Sequence, residues 1–177
     1  MTALSHEIRF DPRLLDYLDE NGYRYEVIDG AIVMNPPPGF RHELVAARLL
    51  IALGSAAPPD LVVLGSHLGF FYDGLSFVMA DLTIGHRADF SEDGLHVAPL
   101  LVVEVLGPSS RWTDLRRKRE IYEQVGVASY WVVDPKAETL SVLELQDGAY
   151  VEAVLFSGKG EFALDRPFPV SIVAFAD

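Results

Sequence analysis

The chain has 177 residues, half of them hydrophobic and 23% charged, a composition that suits one globular domain with a full core and is too short for two. No stretch nears the roughly 18 to 20 apolar residues of a membrane span, and the absence of cysteine excludes disulfides and thiolate metal sites, so a cytoplasmic protein is expected. The net charge of −12 runs against the basic surplus usual in nucleic-acid binders, whose affinity comes largely from neutralising phosphates.

Met1–Phe10 carries His6, Glu7 and Arg9 and lacks the apolar centre of a signal peptide. Residues 1–22 read as a helical extension, with a helix over Asp11–Asn21 that sets Leu14, Leu15 and Leu18 at helical spacing and stops at Gly22. Tyr23–Ile28 and Ala31–Met34 flank Asp29-Gly30, a hairpin signal because both turn positions favour positive φ. Pro36, Pro37 and Pro38 break the chain, and a helix over Phe40–Leu53, apolar on nearly all sides, is expected to be largely buried. Strand-like runs follow at Leu61–Leu64, Gly69–Tyr72, Phe77–Ile84 and Leu100–Leu106. A third helix over Trp112–Val125 ends at Gly126, before strands at Ser129–Val133 and Thr139–Leu145 and an Asp147-Gly148 turn into Tyr150–Phe156. That order predicts a single α/β or α+β domain with two long helices on a central sheet.

Charged residues inside apolar runs carry the functional signal. Leu101-Val102-Val103-Glu104-Val105-Leu106 is apolar on both faces except at Glu104, and an isolated buried carboxylate needs a cation, a metal or a proton. Asp81 repeats the anomaly within Phe77–Ile84, where Asp is disfavoured and too short to reach water. Each alone also fits an ordinary partnered or strand-end acid. Together they form the hard oxygen pair that Mg²⁺ or Mn²⁺ accepts. At 100° per residue, Lys118 falls in the core-facing stripe of the third helix with Arg111, Asp114, Leu115, Ile121, Tyr122 and Val125, while Arg116, Arg117 and Arg119 face solvent. Its ammonium is expected to reach Asp81 or Glu104.

His42 lies on the stripe of Val45, Leu49 and Leu53 and is read first as a packing residue, and Glu26 as the polar face of the hairpin or a site-lining acid. His67, His86 and His96 show no metal-ligand spacing, and phosphate loops, a nucleophile elbow and the dinucleotide fingerprint are absent. Ser109 and Ser110 have no convincing base.

The segments Tyr25–Gly30, Pro36–Pro38 with Arg41-His42, Asp81-Leu82 and Leu101–Ser110, followed by Asp114, Lys118, Tyr122, Gly126-Val127 and Tyr130–Pro135, resemble the Uma family of restriction endonucleases over about Tyr23–Tyr150. The resemblance implies the PD-(D/E)XK nuclease superfamily: a restriction-endonuclease-like core spanning 1–177, a central mixed β-sheet flanked by α-helices, and Mg²⁺- or Mn²⁺-dependent cleavage of DNA. On that resemblance Asp81 is the motif aspartate and Glu104 opens the acidic-x-lysine motif. Leu106 stands where its lysine belongs, and Lys118 matches a lysine moved to the following helix. Ala80 replaces the usual proline, and Gly107 stands where serine is common. Asp81, Glu104 and the Val105 carbonyl would hold metal, Lys118 would serve the nucleophile, and Glu26, His42 and Asp114 would be supporting or substrate contacts. Homodimers are common in such nucleases, but no interface is legible. A non-catalytic interaction module on the same fold and a metal-dependent hydrolase of a smaller phosphate ester are the alternatives.

Overall fold

Among the described residues, two six-stranded sheets, a two-stranded sheet and the helices follow from where period-two and period-3.6 patterns begin and end in this sequence. The computed structural model describes residues 14, 17, 18, 20, 25–34, 36–65, 68–74, 76–107 and 113–176, the side chains of 113 and 114 excepted. Leu14, Tyr17, Leu18 and Glu20 are helical, and the rest of the expected N-terminal helix lies outside the described residues, as do His67, Ser109, Ser110, Arg111 and Trp112.

The chain proceeds through β1 (Tyr25–Ile28), β2 (Ala31–Met34), α1 (Phe40–Ala56), β3 (Leu61–Gly65), β4 (Phe70–Asp73), β5 (Ser76–Val78) and β6 (Leu82–His86). Next come β7 (Phe90–Ser91), β8 (Gly94–Leu95), β9 (Leu101–Val105), a π-helical turn at Thr113–Lys118 and α2 (Arg119–Val125). The described chain ends with β10 (Ser129–Asp134), β11 (Thr139–Gln146), β12 (Ala149–Ser157), β13 (Phe162–Leu164) and β14 (Val170–Ile172). One sheet has the order β2-β1-β5-β4-β8-β7, the other β12-β11-β10-β9-β6-β3, and β13 pairs with β14 alone. Both large sheets are mixed. β9 and β10 run parallel, whereas β9 meets β6 antiparallel.

The hairpin follows the sequence closely: Asp29 and Gly30 adopt φ of 51° and 76°, and Glu26 lies opposite Val33. α1 departs from the expectation of burial on nearly all sides. Val45, Leu49 and Leu53 face the core, but Phe40 and Ile51 are 83% and 69% exposed. The expected strand Phe77–Ile84 is two strands in different sheets, interrupted at Met79-Ala80-Asp81. Asp81 therefore occupies the crossing between sheets, where its carboxylate can bond backbone groups that no ladder uses.

Alternation along β9 sorts its neighbours into two cores. Leu101, Val103 and Val105 join α1, Trp131 and the C-terminal Phe162–Phe175 segment, while Val102 and Leu106 join Ile121, Tyr122, Tyr130 and Val132. Glu104 belongs by register to the second side. α2 ends at Gly126 with φ of 86°, where the Gly126 and Val127 amides both donate to the Tyr122 carbonyl. That left-handed cap fixes the end of the helix that carries Tyr122.

Candidate active site

Glu104 is 2% exposed and Lys118 3%, so both are ionisable groups deep in the second core. The Lys118 Nζ lies 3.1 Å from Glu104 Oε1 and 2.8 Å from Glu26 Oε1, and it donates to the Met79 carbonyl at 2.9 Å. Tyr122, fully buried, donates its hydroxyl to Glu104 Oε1 at 2.8 Å. Burial, then the carboxylates of Glu104 and Glu26, hold the Tyr122 phenol well above its ordinary value, so it remains a neutral donor. Rings of Tyr122, Tyr130 and Tyr150 follow one another at 5.4 and 5.6 Å and hold that hydroxyl in place.

The π-helical turn brings Lys118 inward while altering the predicted stripe. Leu115, expected beside Lys118 in the core, is 37% exposed, because an underwound turn carries preceding residues out of the 100° progression. Arg116 is exposed as expected, but Arg119 is half-buried and donates to the Tyr150 carbonyl at 3.0 Å. The side chain of Asp114 lies outside the described residues.

Glu26 is the residue whose place the sequence signalled least clearly. It is 3% exposed, and besides binding Lys118 it accepts from the Met79 amide at 2.7 Å. The legible clue was its opposite number, Val33, since cross-strand partners share a face and Val33 packs on the second core.

Asp81 keeps other company. Its Oδ2 accepts from the Val105 amide at 2.8 Å and lies 3.2 Å from His42 Nε2. His42 is thus more than a packing residue, and its buried Nδ1 has no hydrogen-bond partner among the described residues. Burial pulls the His42 pKa down, but the Asp81 hydrogen bond and charge, Glu43 and the Val105 backbone outweigh it and raise the net value. His86 and His96 are surface residues, 3.6 Å from Asp60 and 3.2 Å from Asp93.

Two groups result, Glu104–Lys118–Glu26–Tyr122 and Asp81–His42–Val105. The backbone joins them, since Glu104 and Val105 are consecutive and Met79, bound by Glu26 and Lys118, precedes Asp81 by two residues. Among the described residues no three His, Asp or Glu side chains form a group able to hold a metal ion. The donors available are two carboxylates and a carbonyl. The Val105 amide donates to Asp81 Oδ2, which sets that carboxylate beside the β9 backbone next to Glu104. Mg²⁺ suits such a set, because it commonly takes one or two carboxylates and keeps several waters.

No curated protein matches the chain by sequence. Among solved structures, the chain resembles a putative nuclease belonging to DUF820 from Anabaena variabilis ATCC 29413, with a TM-score of 0.67 and 19% identity, over 82% of this chain and 83% of that one. That likeness establishes the nuclease-like α+β fold. The family model Uma2, described as putative restriction endonuclease, matches residues 11–175. By that match over nearly its whole length, the chain belongs to the Uma2 family.

Proposed function

We propose that the protein is a PD-(D/E)XK-type endonuclease that hydrolyses DNA phosphodiester bonds with a divalent cation, Mg²⁺ or Mn²⁺. The observation that carries this reading is the buried Lys118 ammonium held 3.1 Å from Glu104, one residue from the Val105 amide that anchors Asp81. A lysine buried between two acids would be an expensive way merely to fill a core, because a hydrophobic replacement of buried ionic groups is often neutral or stabilising.

Asp81, Glu104 and the Val105 carbonyl are the groups that would hold the cation. A divalent ion bound there supplies an acidified water and a counter-charge for the phosphate. Lys118, its three N–H groups directed at Glu104, Glu26 and the Met79 carbonyl, acts by its charge, offsetting the negative charge on the phosphate oxygens. Tyr122 holds Glu104 in one rotamer, and His42 does the same for Asp81.

The test is incubation of the protein with Mg²⁺ or Mn²⁺ and labelled duplex DNA beside a Glu104→Gln variant. Cleavage by the native protein, lost in the variant, is the expected result. Equal cleavage by both would end the assignment. The near-complete burial of Glu104 favours one second reading, a non-catalytic module in which the Glu26–Lys118–Glu104 cluster is purely structural. Failure to cleave under any divalent ion selects it.

A further inference from the structure

The basic stretch after β9 is largely spent within the fold. Arg117 is paired with Asp29 and lies 2.9 Å from Glu120, and Arg119 is 3.4 Å from Glu123. Arg116 is the described arginine of that stretch left exposed, so a chain of net charge −12 needs further positive charge elsewhere to receive a polyanion. A cavity of about 220 Å³ beside α1 is lined by Arg41, Arg48 and Lys159, with Glu138 the carboxylate in its wall. Arg41 and Arg48 stand seven residues apart on one helix, so they share a face two turns apart. Arg41 is exposed, with no hydrogen-bond or ion-pair partner among the described residues. Arg48 donates Nη1 to the Ala176 carbonyl at 2.9 Å and the Ala174 carbonyl at 3.4 Å, contacts that fix the guanidinium without neutralising it. Among the described residues neither arginine has a carboxylate partner, and such a pair on one cavity suits an anion from outside.

Its position identifies the anion. His42, next to Arg41, touches Asp81, and the cavity wall includes Pro135, two residues beyond Val133, which is paired with Val105. A strand spacing near 4.8 Å and a rise near 3.3 Å per residue put Pro135 about 8 Å from the Val105 backbone. That is on the order of one to two nucleotides of one strand, whose charges advance about 3.4 Å each along the helix axis. We propose that this cavity binds a backbone phosphate of the nucleic acid beside the bond to be cut, with Arg41 and Arg48 as the phosphate ligands and Lys159 at the rim. The proposal rests on the nuclease reading above for the identity of the polyanion.

The experiment compares the native chain, Arg41→Ala and Arg41→Ala/Lys159→Ala, leaving Arg48 to hold the C-terminal carbonyls. Binding of a labelled 20-base-pair duplex in Ca²⁺ is followed by anisotropy from low to moderate salt, and inorganic phosphate is titrated by calorimetry. Arg41→Ala should melt like the native chain, bind every duplex sequence more weakly, and lower the salt slope by about 1. The double variant should lower it further, and phosphate binding should fall in step. An unchanged slope, with native DNA binding intact, overturns the cavity assignment and leaves the nuclease reading standing. Native protein that binds phosphate but no DNA at any salt overturns both the nuclease reading and the backbone-phosphate proposal, and marks the cavity as a site for a free phosphate.

Discussion

At Lys118, one ammonium serves two buried acids, and the consequence is asymmetric. Lys118→Met leaves Glu26 and Glu104 without their shared cation, which is expected to cost about 3–5 kcal/mol, read as a drop in the denaturant midpoint at constant slope. A loss below about 1 kcal/mol would contradict the ion-pair geometry. Tyr122→Phe removes one charge-assisted bond to Glu104 and is expected to cost about 1.5–3 kcal/mol. His42 gives the pH dependence. Its folded pKa is raised above the ordinary 6.5, so the stability it adds is fully present below 6.5 and fades as pH rises through the folded value. In EDTA, the native protein should lose melting temperature relative to His42→Gln between pH 6 and 8.5, and parallel curves would contradict this. Glu104 and Lys118 were legible because each broke an apolar pattern. His42 and Glu26 were weaker signals, since a polar residue on a mostly apolar helix or hairpin becomes informative only once its partner is known.

The elements show why some boundaries were readable and others were not. Asp29-Gly30 and Asp147-Gly148 demand positive φ at both positions, which fixed both hairpins from local chemistry alone. The break at Met79–Asp81 has no glycine or proline to announce it, so an apolar run that changes sheets read as one strand. Neither β13 nor β14 was anticipated, because three-residue strands give too little alternation to count. The π-helical turn is likewise invisible to a 100° wheel, although Lys118 stays inward. Its anchor is the C-terminal end of α2, where Gly126 has φ of 86° and open space around a would-be Cβ. Gly126→Ala should therefore cost about 1–2 kcal/mol through backbone strain alone. Circular-dichroism melting checks this, and an unchanged or raised midpoint would show that the cap is not strained.

For the molecule as a whole, net charge and site chemistry pull in opposite directions. On the proposed nuclease reading, a chain of net charge −12 repels DNA overall, and a cation at the acidic centre would offset charge where the backbone approaches. The most direct measurement is thermal melting with and without Mg²⁺ or Mn²⁺ for the native chain, Asp81→Asn and Glu104→Gln. Glu26 remains to pair Lys118 in the last variant. At 100 times its dissociation constant the ion adds about 2.7 kcal/mol, and at about 2–4 °C per kcal/mol for a chain of this size the native midpoint should rise by about 5–10 °C. Neither variant should respond. A rise of equal size in all three would place the ion elsewhere and contradict the assignment of Asp81 and Glu104.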